Sequence, residues 1–215
     1  MVNITILSSL KEHPVFAVLE KWSRNHGRNI KAKLVNNVNS IEVGGDILFL
    51  ISCSEIVPLS VRNKFKNTLV IHASDLPLGR GWSPHIWQIL NGANEITISL
   101  LEAEDKVDTG KIWKQVNVKL DGTELFNEIN KVLFDEELKL IEWACKNYSS
   151  VEPQPQKDAE ATYYPKRTPH DSEIDINLSI ESQFNLLRVC DPNRFPAFFN
   201  KNGKRYKILI ESYDE

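Results

Sequence analysis

The apolar residues of this chain fall into short runs of two alternating kinds. Runs such as "NITILSS", "DILFLIS" and "NTLVIHAS" are rich in β-branched residues and apolar on both faces, which predicts buried strands. Segments such as "HPVFAVLEKWSRN" carry their apolar residues on one face, which predicts amphipathic helices. Buried strands that alternate with helices indicate an α/β fold with a mostly parallel sheet covered on both sides.

Proline, glycine and capping residues mark where further elements begin and end. "NIKAKLV", "EITISLLEA" and "KIWKQVNVKL" are predicted strands, and the polar alternation of the last one places it near a sheet edge. A short helix is predicted in "SPHIWQILNG", with Ser83 as N-cap, Pro84 at the first position and Gly92 at the end. The longest helix is predicted in "GTELFNEINKVLFDEELKLIEWACKNY", with Thr123 as N-cap.

The last third of the chain is more irregular. "SSVEPQPQKDAEATYYPKRTPHDSEIDIN" is polar and rich in proline, which predicts a surface loop, and "LSIESQFNLLRVC" returns to a helical pattern. "FPAFFNKNGKRYKILIES" predicts a β-hairpin that turns at Asn202-Gly203. We therefore expect a main α/β domain over residues 1–150 and a C-terminal extension of loop, helix and hairpin, packed on it, over residues 151–215.

Composition and charge narrow the class of protein. The chain has 215 residues, of which 41% are hydrophobic, enough to bury a sizeable core. Its formal net charge of -3 gives no basic footprint for nucleic acid. Cys53, Cys145 and Cys190 are far apart, so they predict neither a metal site nor a disulfide framework. No signal peptide or membrane-spanning run is apparent, and we expect a cytoplasmic protein with no metal, membrane or nucleic-acid partner.

Candidate functional residues lie where predicted strands end. In open parallel sheets, ligands bind outside the carboxyl ends of the strands. One strand ends at Ser52-Cys53, another ends at His72, and the loop "LLEAEDKVDTGKI" adds carboxylates after a third. Taken separately, His72 is more typical of a hydrogen-bonded structural residue, and Asp108 in "VDTG" is equally typical of a turn.

Together with their surroundings these residues resemble the folate-dependent formyltransferase family. The resemblance rests on "HASDLPLGRGWSPHIWQILNG" and on the later "VDTGKI", and it covers about residues 45 to 200. The positions that match the family pattern in register are His72, Ser74, Leu76, Pro77, Arg80, Gly81, Pro84, Trp87, Ile89 and Gly92. "TYYPKRTPHDSEIDINLSIESQFNLLRVCDPNRFPAFF" also looks like the segment after the catalytic domain of nucleotide-sugar formyltransferases and of methionyl-tRNA formyltransferase.

The resemblance implies a Rossmann-like domain that binds 10-formyltetrahydrofolate as cosubstrate and passes its formyl group to an amine, without a metal. By residue-level similarity, His72 would be the base or proton relay, and Asp108 would orient and stabilise it. The pterin would lie between two loops whose residues are Ser52, Cys53, Ser54, Glu55, Leu100, Leu101, Ala103, Glu104, Val107 and Asp108.

The acceptor is expected on the other side of the motif. The residues that would line it are Ser74, Gly79, Arg80, Gly81, Trp82, Tyr164, Lys166 and Arg167. The two glycines would let acceptor and cosubstrate approach closely. One position departs from the family pattern: Val70 stands where an asparagine usually donates to the oxyanion of the intermediate. His72 itself, a backbone N–H or Ser52 could replace that donor; otherwise the protein would be an inactive ligand-binding relative.

Among the acceptors known in the family, a nucleotide-linked amino sugar agrees with both length and tail. The likeness is greatest to formyltransferases of pseudaminic-acid-type pathways, which act on a UDP-linked 4-amino-4,6-dideoxy-N-acetyl sugar, so UDP is preferred over dTDP. The alternatives are a carrier-bound aminoacyl group, as in peptide synthetases, and glycinamide ribonucleotide. Methionyl-tRNA is less favoured because of the length and the net charge of -3. The late strands and aromatic tail offer a surface for a homodimer.

Overall fold

The computed structural model describes residues 1–27 and 29–213; Arg28 and the last two residues of the predicted extension, Asp214 and Glu215, lie outside the described residues. In chain order the elements are β1 (Val2–Leu7), α1 (Pro14–Asn25), β2 (Ile30–Val35), β3 (Gly45–Leu50), α2 (Leu59–Arg62), β4 (Phe65–His72), β5 (Arg80–Gly81), α3 (Pro84–Leu90), β6 (Glu95–Glu102), β7 (Ile112–Lys119), α4 (Phe126–Asn147), β8 (Tyr163–Tyr164), α5 (Phe184–Val189), β9 (Ala197–Lys201) and β10 (Lys204–Ile208).

The main sheet has six strands in the order β2-β1-β3-β4-β6-β7. The first four strands in this order run parallel, whereas β6 is antiparallel to both β4 and β7. The predicted α/β fold with a mostly parallel sheet is therefore confirmed. The alternating strand β7 lies at one edge of this sheet, as its pattern predicts.

Both faces of the sheet carry apolar residues because side chains alternate along each strand. The larger cluster joins the sheet to α1, α3 and α4, and its buried members include Ile6, Phe49, Leu69, Leu19, Ile89, Leu133 and Ile141. A smaller cluster on the opposite face includes Leu7, Leu48 and Phe65. Each fully buried side chain of this kind contributes about 1.5–3 kcal/mol. The larger cluster therefore holds α1, α3 and α4 on the sheet.

Two predicted helix caps differ from the structure. Ser83 directly precedes α3, but it has a left-handed φ of 45° and its side chain makes no capping bond. The prediction of Thr123 as the cap of α4 is wrong, since the helix begins at Phe126. The Glu124 carboxylate accepts from the amides of Asp121 and Gly122, which makes a separate turn out of the predicted first helical residues.

The C-terminal hairpin forms as predicted. β9 and β10 pair antiparallel, and Asn202 and Gly203 at the turn have φ values of 52° and 77°. Two successive left-handed residues are what a two-residue hairpin turn requires. The helix predicted in "LSIESQFNLLRVC" is limited to a short 3₁₀ turn, Glu181–Gln183, and to α5.

A segment without helix, residues 154–166, crosses the edge of the main sheet, and we call it the strap. At its start, Ile112 and Gln154 exchange two backbone hydrogen bonds of 2.7 and 2.9 Å. Near its end, β8 pairs in parallel with β5. The strap therefore links β7 to the loop that follows His72. Within the described part of the chain, no helix is both long and apolar enough to cross a lipid bilayer.

Candidate active site

His72 is the last residue of β4 and its side chain is almost fully buried. Its ring nitrogen Nε2 lies 2.9 Å from the carbonyl oxygen of Gly79. Because a carbonyl can only accept, Nε2 carries the hydrogen in the neutral ring, and Nδ1 is then the basic nitrogen. Nδ1 lies 3.7 Å from the carboxylate oxygen Oδ1 of Asp108.

Asp108 lies in the loop after β6, and its backbone has a left-handed φ of 56°. Such a conformation costs a non-glycine residue about 1–3 kcal/mol and persists only where surrounding contacts hold it. Its second carboxylate oxygen, Oδ2, accepts a 2.9 Å hydrogen bond from the Gly81 amide. The Gly81 amide thus orients the carboxylate, so that Oδ1 faces the His72 ring.

This arrangement is suited to moving a proton. The neutral imidazole of His72 can accept a proton at Nδ1, on the side of Asp108. The imidazolium so formed would direct one N–H at the Gly79 carbonyl and the other towards the Asp108 carboxylate. A carboxylate in this position stabilises the charged ring and fixes its orientation. An amine that sheds a proton as it attacks a carbonyl carbon needs a base of this kind.

The two glycines of the Gly79-Arg80-Gly81 loop are required by the strap. Both have positive φ values, 72° for Gly79 and 97° for Gly81. A Cβ at Gly79 would lie 3.0 Å from the Tyr164 ring, and a Cβ at Gly81 would lie 2.5 Å from the Tyr164 carbonyl oxygen. Both glycines are therefore required by the close packing of the loop against β8, and their expected place beside a ligand stays a prediction.

Arg80, expected on the acceptor side, is engaged by the strap. Its guanidinium donates a 2.6 Å bond to the side-chain oxygen of Gln156 and a 3.2 Å bond to the phenol of Tyr163. Gln156 in turn donates to the backbone carbonyls of Asp108 and Gly110, at 2.8 and 3.0 Å. No signal in the sequence marks Gln156, because it lies 48 residues from Asp108 and belongs to no motif.

The other predicted acceptor residues have different environments. Trp82 is 40% exposed, and the Lys166 ammonium lies 4.9 Å from the centre of its ring. Tyr164 is half-buried and stacks on Trp87, with ring centres 6.2 Å apart. Arg167 is only 7% exposed and donates to the Asp171 carbonyl and the Ser172 hydroxyl, which directs it into the C-terminal segment. Ser74 is buried, and its hydroxyl has no partner among residues 1–27 and 29–213.

The first predicted folate loop, Ser52 to Glu55, follows β3 and is held by its own contacts. The Ser54 amide donates to the Ser9 hydroxyl at 2.7 Å, and the Glu55 carboxylate accepts from the Val38 amide at 3.0 Å. Ser52 has a left-handed φ of 47°. Burial raises the pKa of the Cys53 thiol, which keeps it protonated at neutral pH. The loop therefore offers mainly backbone groups to a ligand.

The second predicted folate loop divides into a buried and an exposed part. Leu100 and Leu101 lie inside β6 and their side chains have no exposed surface, so any contact with a pterin would be made by their backbone, and their place in the folate site stays a prediction. Ala103, Glu104 and Val107 follow on the surface, half-buried at Ala103 and exposed at the other two.

Arg62, downstream of the first predicted folate loop, contacts the second one. Arg62 ends α2, which follows the first loop, and it donates to the Ala103 carbonyl at 2.9 Å and pairs with the Asp105 carboxylate. Ile56 on the first loop is 78% exposed, and Val107 on the second is 60% exposed. Exposed apolar side chains beside backbone polar groups fit a flat heteroaromatic ring such as a pterin.

Val70 lies between Leu50 and Leu101 in the sheet, two residues before His72 and on the same face. The Val70 side chain has no hydrogen-bond donor. Nor does neutral His72 have a free N–H, because its only hydrogen is directed at Gly79. Of the predicted replacements for an oxyanion donor, a backbone N–H and the Ser52 hydroxyl are consistent with this tautomer. Among the described residues, no group of three or more His, Cys, Asp or Glu side chains could hold a metal ion.

Comparison with known proteins gives one family. Residues 5–144 match the family model described as formyl transferase. Methionyl-tRNA formyltransferase from Pediococcus pentosaceus is 29% identical over 178 residues, covering 78% of this chain and 53% of that protein. The enzyme of the same name from Synechococcus sp. is 27% identical over 170 residues, covering 78% and 52%. The chain thus spans about half the length of these curated relatives.

Solved structures agree in fold. A methionyl-tRNA formyltransferase from Clostridium thermocellum has a TM-score of 0.78 at 22% identity, covering 100% of this chain and 94% of that one. A 4-N formyltransferase from Francisella tularensis has a TM-score of 0.75 at 16% identity, covering 100% and 99%. HypX from Aquifex aeolicus, in complex with tetrahydrofolic acid, has a TM-score of 0.76 at 19% identity, covering 97% and 37%.

Proposed function

Because the chain belongs to the formyl transferase family, we propose that it transfers a formyl group from 10-formyltetrahydrofolate to the amine of a nucleotide-linked amino sugar. The observation that carries the proposal is the pairing of His72 and Asp108 at the carboxyl edge of the sheet. In the proposed reaction, the acceptor nitrogen forms a bond to the formyl carbon and loses a proton to Nδ1 of His72. The bond from the formyl carbon to the folate nitrogen then breaks, and that nitrogen takes up a proton.

The folate side of the proposal is supported by the two predicted folate loops, Ser52 to Glu55 and Ala103 to Val107. The exposed side chains of Ile56 and Val107 would cover the pterin ring, while backbone groups of Ser52 to Glu55 and of Ala103 to Val107 would supply its hydrogen bonds. Glu104 is an exposed carboxylate on the second loop. Asp108 would contribute to both sites, through its backbone to the folate loop and through its carboxylate to His72.

The acceptor side is supported by Trp82 and Lys166. An exposed indole with an ammonium beside it suits a nucleotide, because a base can stack on the ring while the positive charge faces the phosphates. The 4-N formyltransferase from Francisella tularensis is matched along 99% of its chain, and a methionyl-tRNA formyltransferase from Clostridium thermocellum along 94%, so coverage does not separate the two acceptors and the preference rests on Trp82 and Lys166. We propose a UDP-linked 4-amino-4,6-dideoxy-N-acetyl sugar as the acceptor, in preference to a dTDP-linked one.

A second candidate acceptor is methionyl-tRNA. The observation that favours it is the 26–29% identity to methionyl-tRNA formyltransferases, over about four fifths of this chain. The net charge of -3 weighs against it, because tRNA binding needs a basic surface. We therefore rank the amino sugar first.

The test is release of tetrahydrofolate from 10-formyltetrahydrofolate, measured with a panel of UDP-linked amino sugars, dTDP-linked amino sugars and methionyl-tRNA. We expect turnover with a UDP-linked 4-amino sugar, formyl-sugar product by mass spectrometry, and loss of both in His72→Ala. Turnover with methionyl-tRNA alone would transfer the assignment to the second candidate. Folate binding in calorimetry without turnover on any acceptor would indicate an inactive relative, consistent with Val70 at the usual asparagine position.

A further inference from the structure

The strap contacts both loops of the candidate site through one side chain. Gln156 lies 48 residues from Asp108 in sequence, yet its carboxamide touches the loop after β6 and the loop after β4 at once. It donates to the carbonyls of Asp108 and Gly110, and it accepts from the Arg80 guanidinium. Both kinds of group on the carboxamide, the N–H donors and the oxygen, are therefore in use.

These contacts act at the point where the Asp108 backbone is strained. The left-handed φ of 56° persists only if surrounding contacts hold the loop. Gln156 holds the Asp108 carbonyl, in the peptide plane that follows Asp108, at 2.8 Å, and the Gly110 carbonyl, two residues further on, at 3.0 Å. On the opposite side, the Gly81 amide holds the carboxylate of Asp108.

We propose that Gln156 is a positioning residue for the reaction, which sets the backbone of Asp108 so that its carboxylate faces His72. The inference rests on the proposed formyl transfer for its kinetic consequences, although the positioning itself does not depend on which acceptor is used. Gln156 acts through Asp108 and Arg80 and touches no reacting atom. Glutamate at this position would keep an acceptor for Arg80 but would lose both donations to the carbonyls.

The strap does not depend on the Gln156 side chain for its own position. The two backbone bonds between Ile112 and Gln154 and the pairing of β5 with β8 hold it on either side of residue 156. Gln154 gives a matched control in the same segment, because its side chain is exposed and donates only to the nearby Glu152 carbonyl. Removal of the Gln156 side chain should therefore loosen the Asp108 loop without releasing the strap.

The first experiment measures steady-state kinetics of Gln156→Ala, Gln156→Glu and Gln154→Ala. We expect kcat to fall about 100-fold in both Gln156 variants, as a misplaced catalytic group predicts, with KM for 10-formyltetrahydrofolate changed less than about 3-fold. Gln154→Ala should behave as wild type. In an Asp108→Asn background, Gln156→Ala should have almost no further effect, because the charge that it positions is already gone. A full additional loss in that background would overturn the proposal.

The second experiment needs no turnover, so it separates failure of the inference from failure of the proposed function. Amide hydrogen exchange reports on the Gly81 N–H, which is protected by the Asp108 carboxylate. We expect exchange at Gly81 to accelerate at least 10-fold in Gln156→Ala and in Gln156→Glu, and to stay unchanged in Gln154→Ala. Unchanged exchange in the Gln156 variants would refute the positioning role even if the enzyme is active.

Discussion

His72 and His85 stand on either side of the glycine loop and differ in what surrounds them. His72 ends β4 between a carbonyl oxygen and a carboxylate. His85 lies in the first turn of α3, where burial lowers its pKa to about 3 and repulsion from the Arg167 guanidinium adds to the shift. No acidic group contributes to that shift.

The difference shows that burial alone removes a histidine from acid–base chemistry. Desolvation disfavours the imidazolium, so a buried histidine stays neutral unless an acceptor stabilises the charged ring. The loop that carries Asp108 places a carboxylate beside His72, whereas no carboxylate in the described part of the chain contributes to the His85 pKa shift. A proton relay at this edge therefore depends on the arrangement of two loops, not on the presence of a histidine.

Exchange of each histidine for glutamine gives the largest predicted contrast. His72→Gln removes the group that accepts the proton, and general-base catalysis contributes about 10²–10⁴-fold, so we expect kcat to fall about 10³-fold. His85→Gln replaces a neutral ring with a neutral amide and should keep kcat within about 3-fold of wild type. Both are measured as tetrahydrofolate release under saturating substrates. Equal losses in the two variants would contradict the distinction between them.

Asp108→Asn tests the carboxylate that faces His72 and should have the next largest effect on kcat. The amide oxygen of asparagine can still accept from the Gly81 N–H, so the loop is expected to keep its place, but the negative charge beside His72 is lost. We expect kcat to fall about 100-fold, less than the roughly 10⁴-fold loss for the same change in a Ser-His-Asp triad, because the 3.7 Å between Nδ1 and Oδ1 is longer than a hydrogen bond. Circular dichroism and the unfolding midpoint serve as controls for the fold. A variant that keeps full activity would show that the carboxylate charge is dispensable.

Much of this comparison could be predicted from the sequence because it depends on local patterns. The apolar run before His72 places it at the end of a strand, and the turn residues around Asp108 place that residue in a loop after another strand; the proximity of that loop to His72 comes from the structure, because β6 runs antiparallel to β4 and ends beside Leu69. The hairpin turn at Asn202-Gly203 is likewise a local conformational preference. Such signals lie within a few residues of the feature that they predict.

The contacts that complete the site are long-range and carry no local signal. Gln156 joins Asp108 and Arg80 across 48 and 76 residues, and a glutamine in a polar, proline-rich segment looks like any solvated side chain. The glycines at 79 and 81 signal close approach, but only the structure identifies the approaching group as Tyr164. The sequence predicts that Arg167 lines the acceptor site, whereas in the structure its guanidinium donates to the Asp171 carbonyl and the Ser172 hydroxyl in the C-terminal segment.

The neutral histidines predict a specific sensitivity to acid. Burial lowers the pKa of His13 to about 4 and that of His85 to about 3, from ordinary values of 6.5. Between pH 6.5 and these values the unfolded chain binds protons that the folded chain does not, so stability falls as pH falls. By pH 5 each histidine should have cost about 2 kcal/mol of unfolding free energy. Urea titrations at pH 7 and pH 5 measure this loss.

His85→Gln should recover about 2 kcal/mol of the loss between pH 7 and pH 5, because glutamine gains no charge. His170→Gln, at an exposed position in the C-terminal segment, is the matched control and should leave the loss as large as in wild type. If His85→Gln has the same pH dependence as wild type, His85 is not held neutral by burial. The contrast between His72 and His85 would then lose its electrostatic basis.

Glu137 extends the comparison to carboxylates, with the smallest expected effect. Asp108 accepts from an amide, whereas Glu137 on α4 has an enclosed oxygen, Oε2, with no partner in the described part of the chain. Burial raises the Glu137 pKa from 4.5 to about 8. Stability associated with the protonated form is therefore present below pH 4.5 and lost as pH rises from 4.5 to about 8.

Glu137→Gln keeps the shape of the side chain and removes this loss, so the variant should be more stable than wild type at pH 8 and no different at pH 4. We expect a gain of about 1 kcal/mol, well below the limit set by the pKa, because Glu137 is only half-buried as a residue and its carboxylate can turn towards water. Asp135→Asn, which removes an exposed pair with Lys131, should change stability by less than about 0.5 kcal/mol. If Glu137→Gln is more stable than wild type by the same amount at pH 8 and at pH 4, the gain comes from packing and not from removal of the Glu137 charge.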